Sequence, residues 1–297
     1  MTEPTAGTVE IVAPGVRRVL APNPGPMTHW GTNSYILGEG RVAVVDPGPT
    51  DMNHLGALET ATQGEVITHI LVTHAHADHS PLARALSDRT GAPIVGFGPP
   101  DAGRSATMQD LAKNGLAGGG EGIDGAFQPD LAVTDGDAVA GDNWQIEVLH
   151  TPGHFAGHLA FRMGDIILSG DHVMDWSSSL VSPPDGDLGA FMRTSERMMG
   201  LEATKLLPGH GGPINDPAGR LEWLIAHRRS RETAILNVLG TAPLSVEQIT
   251  ERVYTDIPSK MHQAAARNVF AHLIDLTERN MVKPTPKLTA DATFRLI

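Results

Sequence analysis

The sequence predicts a mixed fold, α/β or α+β in class, with sheets covered by helices and a small helical module at the C-terminal end. Three observations predict it. Short β-branched or aliphatic runs alternate with turn clusters through the first 220 residues. Helical patterns sit between those runs. Near residues 220–230 the texture turns mostly helical and the charge changes sign. Residues 1–220 carry 12 basic and 26 acidic side chains, whereas residues 221–297 carry 10 and 8. The expected domains are therefore 1–220 and 221–297.

Taken in order, Arg41–Val45 reads as a buried strand running into Asp46-Pro-Gly, and Val66–Thr73 as one running into a His-rich stretch. A helix follows over Pro81–Arg89. Residues 101–143 are rich in Gly and Asp, including Gly118-Gly-Gly, and read as a long mobile surface insertion. Gln145–Leu149, Leu159–Met163, Asp165–Leu168 and Lys205–Leu207 are further strands, with a helix over Leu188–Met199. Asp216 and Pro217 form an N-cap and first-turn pair that opens a helix through about Val238. Ser245 with Gln248 fits a capping box. A third helix runs from about Met261 to Arg279, and Met281–Lys283 and Thr293–Leu296 are extended. Three helices followed by a hairpin suggest a winged-helix-like module.

Composition narrows the chemistry. The chain has 297 residues, a net charge of −12, 14 His and no Cys. Disulfides, iron–sulfur clusters, zinc fingers and a thiol nucleophile are excluded. Any transition metal must be held by His and carboxylate. The acidic balance weighs against coating nucleic acid or an anionic membrane. Pro4, Pro14, Pro22, Pro24 and Pro26 break the first 30 residues, and runs such as Val42–Val45 and Ile166–Leu168 fall far below a membrane span. The expectation is a soluble, cytoplasmic protein with no membrane partner.

The strongest motif is Thr73-His-Ala-His-Ala-Asp-His79, placed where a strand ends and a helix begins. Ser80 is expected to cap that helix, with Pro81 at its first position. His74, His76, Asp78 and His79 can all point into one pocket from such a turn. Imidazole nitrogen and carboxylate oxygen suit zinc, with iron or manganese as alternatives. Three further donors follow strands: His154 after Thr151-Pro-Gly, Asp171 after Ser169-Gly, and His210 after Leu207-Pro-Gly. Each is weak alone. Together the seven are too many for one tetrahedral zinc and suit two neighbouring metals.

These residues resemble the metallo-β-lactamase fold superfamily, whose pattern is H-x-H-x-D-H, then His, Asp and His. Pro183-Pro-Asp-Gly-Asp, Pro208-Gly-His-Gly-Gly-Pro and His227-Arg-Arg-Ser-Arg resemble its lactamase-beta-2-like branch, which appends a winged-helix-like domain. The resemblance implies a four-layer αββα sandwich. It implies two zinc ions per chain, the first on His74, His76 and His154 and the second on Asp78, His79 and His210. Asp171 bridges them together with a hydroxide, which makes Asp78 and Asp171 the catalytic carboxylates. Asp46 corresponds to a buried aspartate that orients the His loop without touching metal. His158 corresponds to a frequent position beside the site, for which support of a ligand and plain structural hydrogen bonding weigh equally. Ser80-Pro81 departs from the small residues and Gly that often follow the last His.

Of the other histidines, His172 is expected to point away from its neighbour Asp171, and His69 to pack within its strand. His54, His227, His262 and His272 read as solvated or structural. His29, Trp30, Asn33 and Tyr35 lie where a loop could overhang the pocket, although ordinary hairpin roles fit them better.

The implied activity is a binuclear metallo-hydrolase acting on an acyl thioester or ester, free or carrier-bound. A single-strand endoribonuclease is the alternative. It is favoured by the net +2 of the tail and by Arg228-Arg229-Ser-Arg231, and disfavoured by an aromatic content of only 4%. A mononuclear iron persulfide dioxygenase and a nucleic-acid-binding regulator with a vestigial site are minor alternatives. A homodimer is an open expectation.

Overall fold

The computed structural model describes residues 3–119, 122–240, 242–258 and 261–297. A first sheet takes its strands in chain order: β1 (Val9–Ala13), β2 (Val16–Leu20), β3 (Asn33–Leu37), β4 (Arg41–Val45), β5 (Val66–Leu71), β6 (Ile94–Gly96) and β7 (Leu131–Ala132). β1 to β4 are antiparallel neighbours, and β4 to β7 run parallel. The three parallel steps need crossovers, and α1 (Met52–Ala61), α2 (Leu82–Thr90) and α3 (Ala106–Lys113) lie in them in turn. A second sheet has the order β12-β11-β10-β9-β8, from β8 (Ala138–Ala140), β9 (Gln145–His150), β10 (Leu159–Met163), β11 (Ile166–Gly170) and β12 (Lys205–Pro208). Its one parallel pair, β11 with β12, is joined through α4 (Leu188–Met199).

Strand alternation builds the layers. On β4, Ala43 and Val45 enter the core between the sheets, while Val42 and Val44 pack with Leu55 of α1 and Leu82 and Leu86 of α2. On β10 and β11, Leu159, Phe161, Ile166 and Leu168 face the first sheet. Ala160 and Ile167 face α4 and the start of α5 (Pro217–Leu239) through Phe191, Leu221 and Leu224. The order is helix, sheet, sheet, helix, the four-layer sandwich expected from the resemblance.

The C-terminal module holds β13 (Leu244–Ser245), α6 (Val246–Val253), α7 (His262–Glu278), β14 (Val282–Thr285) and β15 (Thr293–Leu296), with sheet order β13-β15-β14. Both predicted caps are present. Asp216 accepts from Gly219 N at 3.0 Å, and Ser245 and Gln248 close a reciprocal capping box. The 220/221 division falls inside α5. Its first half packs on the sandwich, and Ile235 and Leu239 pack in the C-terminal core.

Two expectations are corrected. Residues 101–143 are not a loose surface insertion. They carry α3 (Ala106–Lys113), and Met108 and Leu111 are buried in the C-terminal core beside Phe270 and Leu273. Gly120, in the Gly118-Gly-Gly run, lies outside the described residues. Ser80 does not cap α2. Pro81 is itself the boundary residue with no side-chain cap, because Ser80 Oγ donates to Asp124 Oδ2 at 2.8 Å instead. Among the described residues, no helix is long and apolar enough to cross a membrane.

Sharing of the C-terminal core by α3 is testable. Leu111→Ala is expected to cost about 2–5 kcal/mol, read as a lower urea midpoint. A loss under about 0.5 kcal/mol, the scale of an ordinary surface substitution, would mean that α3 is not part of that core.

Candidate metal centre

β4 and β5 run the same way in the first sheet, as do β9, β11 and β12 in the second, and the donors that follow their C-terminal ends converge at one edge of the sandwich. Asp46, the His74–His79 loop, His154, Asp171 and His210 follow those ends directly. All seven expected donors are buried, and they fall into three overlapping groups: His74, His76 and His154; His74, His79 and Asp171; and Asp78, His79 and His210. Within each group the ligand atoms lie within 4.8 Å of one another.

Asp46 holds the His loop as expected. Its Oδ1 accepts from Thr73 N at 2.7 Å, and its Oδ2 accepts from Thr73 Oγ1 at 2.7 Å and from His79 Nδ1 at 2.9 Å. Val72 N still donates to Val95 O, and the ladder stops at Thr73, whose amide bonds to the Asp46 side chain instead. Asp46 sits at φ 48°, a left-handed conformation that Asp tolerates better than most residues.

The outer nitrogens fix how the rings face inward. Thr73 Oγ1 gives its proton to Asp46, so it accepts from His74 Nδ1 at 2.9 Å. His154 Nδ1 donates to Leu180 O at 2.7 Å, and His210 Nδ1 donates to Gly31 O at 3.0 Å. His74, His79, His154 and His210 therefore spend Nδ1 on protein acceptors and turn Nε2 to the centre. His76 turns Nδ1 inward, 2.9 Å from His74 Nε2 and 3.1 Å from His154 Nε2. Three imidazole nitrogens converge with at most one proton among them, and a cation satisfies all three lone pairs.

The second group is built around carboxylates. Asp78 Oδ2 lies 3.1 Å from His210 Nε2 and 3.5 Å from His79 Nε2. Asp171 stands between the groups: Oδ1 is 3.4 Å from His79 Nε2, and Oδ2 is 3.3 Å from His210 Nε2 and 3.7 Å from His154 Nε2. Asp78 Oδ1 and Asp171 Oδ1 are buried with no hydrogen-bond partner among the described residues. Such orphaned oxygens are what a bound cation would satisfy. Gly209 is required by close approach, since a Cβ there would stand 2.2 Å from Asp171 Oδ1.

Electrostatics divides the cluster in the same way. Burial disfavours charge on every ring. It holds His76 at about 3, aided by His154, and holds His74 well below its ordinary value. For His210, Asp171 and Asp78 outweigh burial and raise it to about 10; for His79, Asp78, Asp171 and Asp46 do the same. Despite burial, the same partners keep Asp78 and Asp171 below the usual carboxylate range. Two buried carboxylates thus demand positive charge. Divalent cations can supply it in place of protons on His79 and His210.

His158 bonds to the backbone of Asp171. Its Nε2 accepts from Asp171 N at 3.1 Å and its Nδ1 donates to Thr151 Oγ1 at 2.7 Å. His172 does point away, with Nε2 3.0 Å from Ser195 Oγ of α4, and His69 packs edge-on against Trp144. Of the residues read as able to overhang the pocket, only His29 and Trp30 form a stack, with Trp176. Asn33 and Tyr35 are buried in β3 and donate to Pro208 O at 2.9 and 2.7 Å, fixing the approach to His210. His54 is buried against Ser34 Oγ at 2.9 Å. Sequence reasoning missed Thr73, Leu180 and Gly31 as supports; only Thr73 carries a side-chain signal.

A cleft separates the 174–180 loop from α7 and is lined by Leu180, whose carbonyl accepts from His154. It comprises two adjoining hollows of about 280 and 250 Å³ that share Met27, Leu180 and Met261. Trp176, Tyr254 and Ile257 extend its apolar wall.

Residues 27–210 match the metallo-beta-lactamase superfamily, and residues 245–288 match the beta-lactamase associated winged helix domain. A Drosophila melanogaster protein named beta-lactamase-like protein 2 homolog is 30% identical, covering 94% of this chain and 92% of its own. An atrochrysone carboxyl ACP thioesterase of Claviceps purpurea is also 30% identical, covering 84% and 76%. The crystal structure of a metallo-beta-lactamase family protein from Thermus thermophilus superposes with a TM-score of 0.77 at 26% identity, covering 97% of this chain and all of that one. With its buried His and Asp groups suited to divalent metal, the chain belongs to the metallo-beta-lactamase superfamily as a metal-dependent hydrolase with a C-terminal winged helix domain.

Proposed function

We propose that the centre holds two divalent cations, zinc foremost with iron or manganese as alternatives, and hydrolyses an acyl thioester or ester. The observation that carries this reading is Asp171, whose two oxygens face both donor groups. His74, His76 and His154 would hold one cation and Asp78, His79 and His210 the other. Such a pair supplies hydroxide from water near neutral pH and polarises the substrate carbonyl. No side-chain nucleophile is then needed. Asp78 Oδ1, buried and without a partner among the described residues, would hold the attacking water and return its proton to the leaving group.

The cleft walled by Trp176, Tyr254, Ile257 and Met261, lined by Leu180 behind His154, supports an acyl substrate, and the thioesterase name of the Claviceps relative points the same way. RNA cleavage is less well supported. The Arg228-Arg229-Ser-Arg231 run does not form one solvated basic face: Arg228 is 2% exposed, Arg229 pairs with Glu196, and Arg231 lies over the Tyr254 ring. Backbone phosphates need free cations.

Purified protein is expected to carry about two metal equivalents per chain, as a two-metal site requires. Asp171→Ala should lose at least one of them and about 100-fold or more in turnover, the scale of removing one electrostatic contributor from a water-excluded site. Wild-type turnover in that variant would contradict the bridging position.

Cleft occupancy has its own test. Ala264→Phe narrows the cleft lining. It should raise KM for long-chain acyl thioesters about tenfold while leaving acetyl thioester hydrolysis within about twofold. Equal effects on both would remove the acyl chain from the cleft. A side-by-side panel of thioesters, lactones, phosphodiesters and single-stranded RNA should show fastest turnover on thioester or ester. Faster cleavage of RNA would overturn the substrate reading.

A further inference from the structure

The C-terminal domain reaches the metal centre through a backbone carbonyl. His154 Nδ1 donates to Leu180 O at 2.7 Å, the bond that turns its Nε2 toward His76. Leu180 lies in the loop between β11 and α4, and the residues on either side of it are held from the C-terminal half of the chain. On one side, Arg228 of α5 donates from Nη2 to Ser179 O. On the other, Asn268 of α7 accepts from Val181 N at 3.1 Å. The two side chains are themselves joined, Arg228 Nη1 donating to Asn268 Oδ1 at 2.9 Å. Asn268 Nδ2 donates to Ala264 O at 3.3 Å, which sets the direction of its amide.

Arg228 is buried, stands 5.1 Å over the Phe191 ring and has no carboxylate partner among the described residues. A buried guanidinium without an anion is costly unless its hydrogen bonds are used. Here Nη2 is spent on the loop beneath His154 and Nη1 on its second anchor, while Nε is buried without a partner among the described residues. The sandwich contributes Ser179 Oγ, which donates to His172 O at 3.0 Å. The other groups named at Ser179 and Val181 come from α5 and α7.

We propose that Arg228 and Asn268 are positioning residues for the metal centre. They fix the Leu180 carbonyl, and through it the tautomer and direction of His154, so that the C-terminal domain sets the affinity of one donor group and not of the other. This rests on the two-cation reading above. Asn268 of the winged helix domain and Arg228 of the connecting helix α5 then act on the metals from behind the ligand, without contributing a ligand themselves. His210 is the internal comparison: its Nδ1 bonds to Gly31 O, in a loop held by the Asn23 and Thr32 side chains at 2.9 and 3.0 Å, entirely within the sandwich.

The test uses the full chain stripped of metal and titrated with zinc against a chromophoric chelator. Wild type should take up two equivalents. In Asn268→Ala and Arg228→Met, one equivalent should weaken about 10- to 100-fold, as when the hydrogen-bond partner of a ligand is lost, and the other by less than about threefold. Asn268→Asp, which keeps an acceptor for Val181 N and Arg228, should stay within about threefold of wild type. Arg229→Ala, on the outer face of the same helix, should bind as wild type. Unchanged affinity in both variants, or equal weakening of both equivalents, overturns the proposal. Nitrogen chemical shifts of His154 in the metal-free wild type need no substitution. An Nδ1-protonated ring is expected, and an Nε2-protonated ring overturns the relay even if a variant fails to fold. Absence of zinc uptake by wild type would instead count against the two-cation reading, leaving the nitrogen shifts to decide the relay.

Discussion

The carboxylate of Asp46 is the constraint from which the centre is built. It emerges from the end of β4 in a left-handed turn and takes three hydrogen bonds from the Thr73 amide, the Thr73 hydroxyl and the His79 ring. Those bonds stop the β5 ladder at Thr73, open the His loop and set the tautomers of His74 and His79. Without them the loop would have no reason to leave the sheet where it does. The donors would still be close in sequence, but their lone pairs would not converge. The sandwich serves this carboxylate by stacking Val42 and Val44 against the helices and Ala43 and Val45 between the sheets, so that the chain reaches Asp46 on a rigid strand.

Around that anchor, burial and charge oppose each other. Five imidazoles and two carboxylates lie within the protein, and burial alone would neutralise all of them. The three rings grouped without a carboxylate of their own are held neutral, and the two beside Asp78 and Asp171 are driven toward the charged form. A centre divided in this way offers one neutral and one anionic donor set, with Asp171 standing between them. That division is a property of the protein before any metal enters.

Much of this was legible in the sequence because the donors are side chains that follow strand ends. A strand-to-helix turn places His74, His76, Asp78 and His79 together by local geometry, and Pro-Gly turns mark His154 and His210. The supports were legible only where a side chain provides them, as Asp46 does. Leu180 and Gly31 act through backbone carbonyls, which every residue carries, so no residue type announces them. The Gly- and Asp-rich 101–143 stretch concealed α3 because its packing partners lie more than 120 residues away. Ser80 misled because a hydroxyl before Pro fits a cap, while its actual partner, Asp124, is reached only through the fold.

Arg228 is a different case, since its signal was present. Leu221, Leu224, Ile225, Arg228, Ile235 and Leu239 are the buried positions of α5 after Pro217, and their spacing is helical. Read as a basic run, Arg228-Arg229-Ser-Arg231 suggests a phosphate-binding face. Read by helical period, Arg228 falls on the apolar stripe, Arg231 falls at its edge and is half-buried against Tyr254, and Arg229 falls off it. Periodicity therefore separates Arg228, turned to the interior, from Arg229, which faces outward.

The central claim is a two-cation centre spanned by Asp171. Anomalous diffraction from crystals of the zinc-loaded protein tests it most directly. The account predicts two peaks about 3.5–4 Å apart, one among His74, His76 and His154 and one among Asp78, His79 and His210, with Asp171 between them. A single peak, or peaks outside these donors, would contradict it.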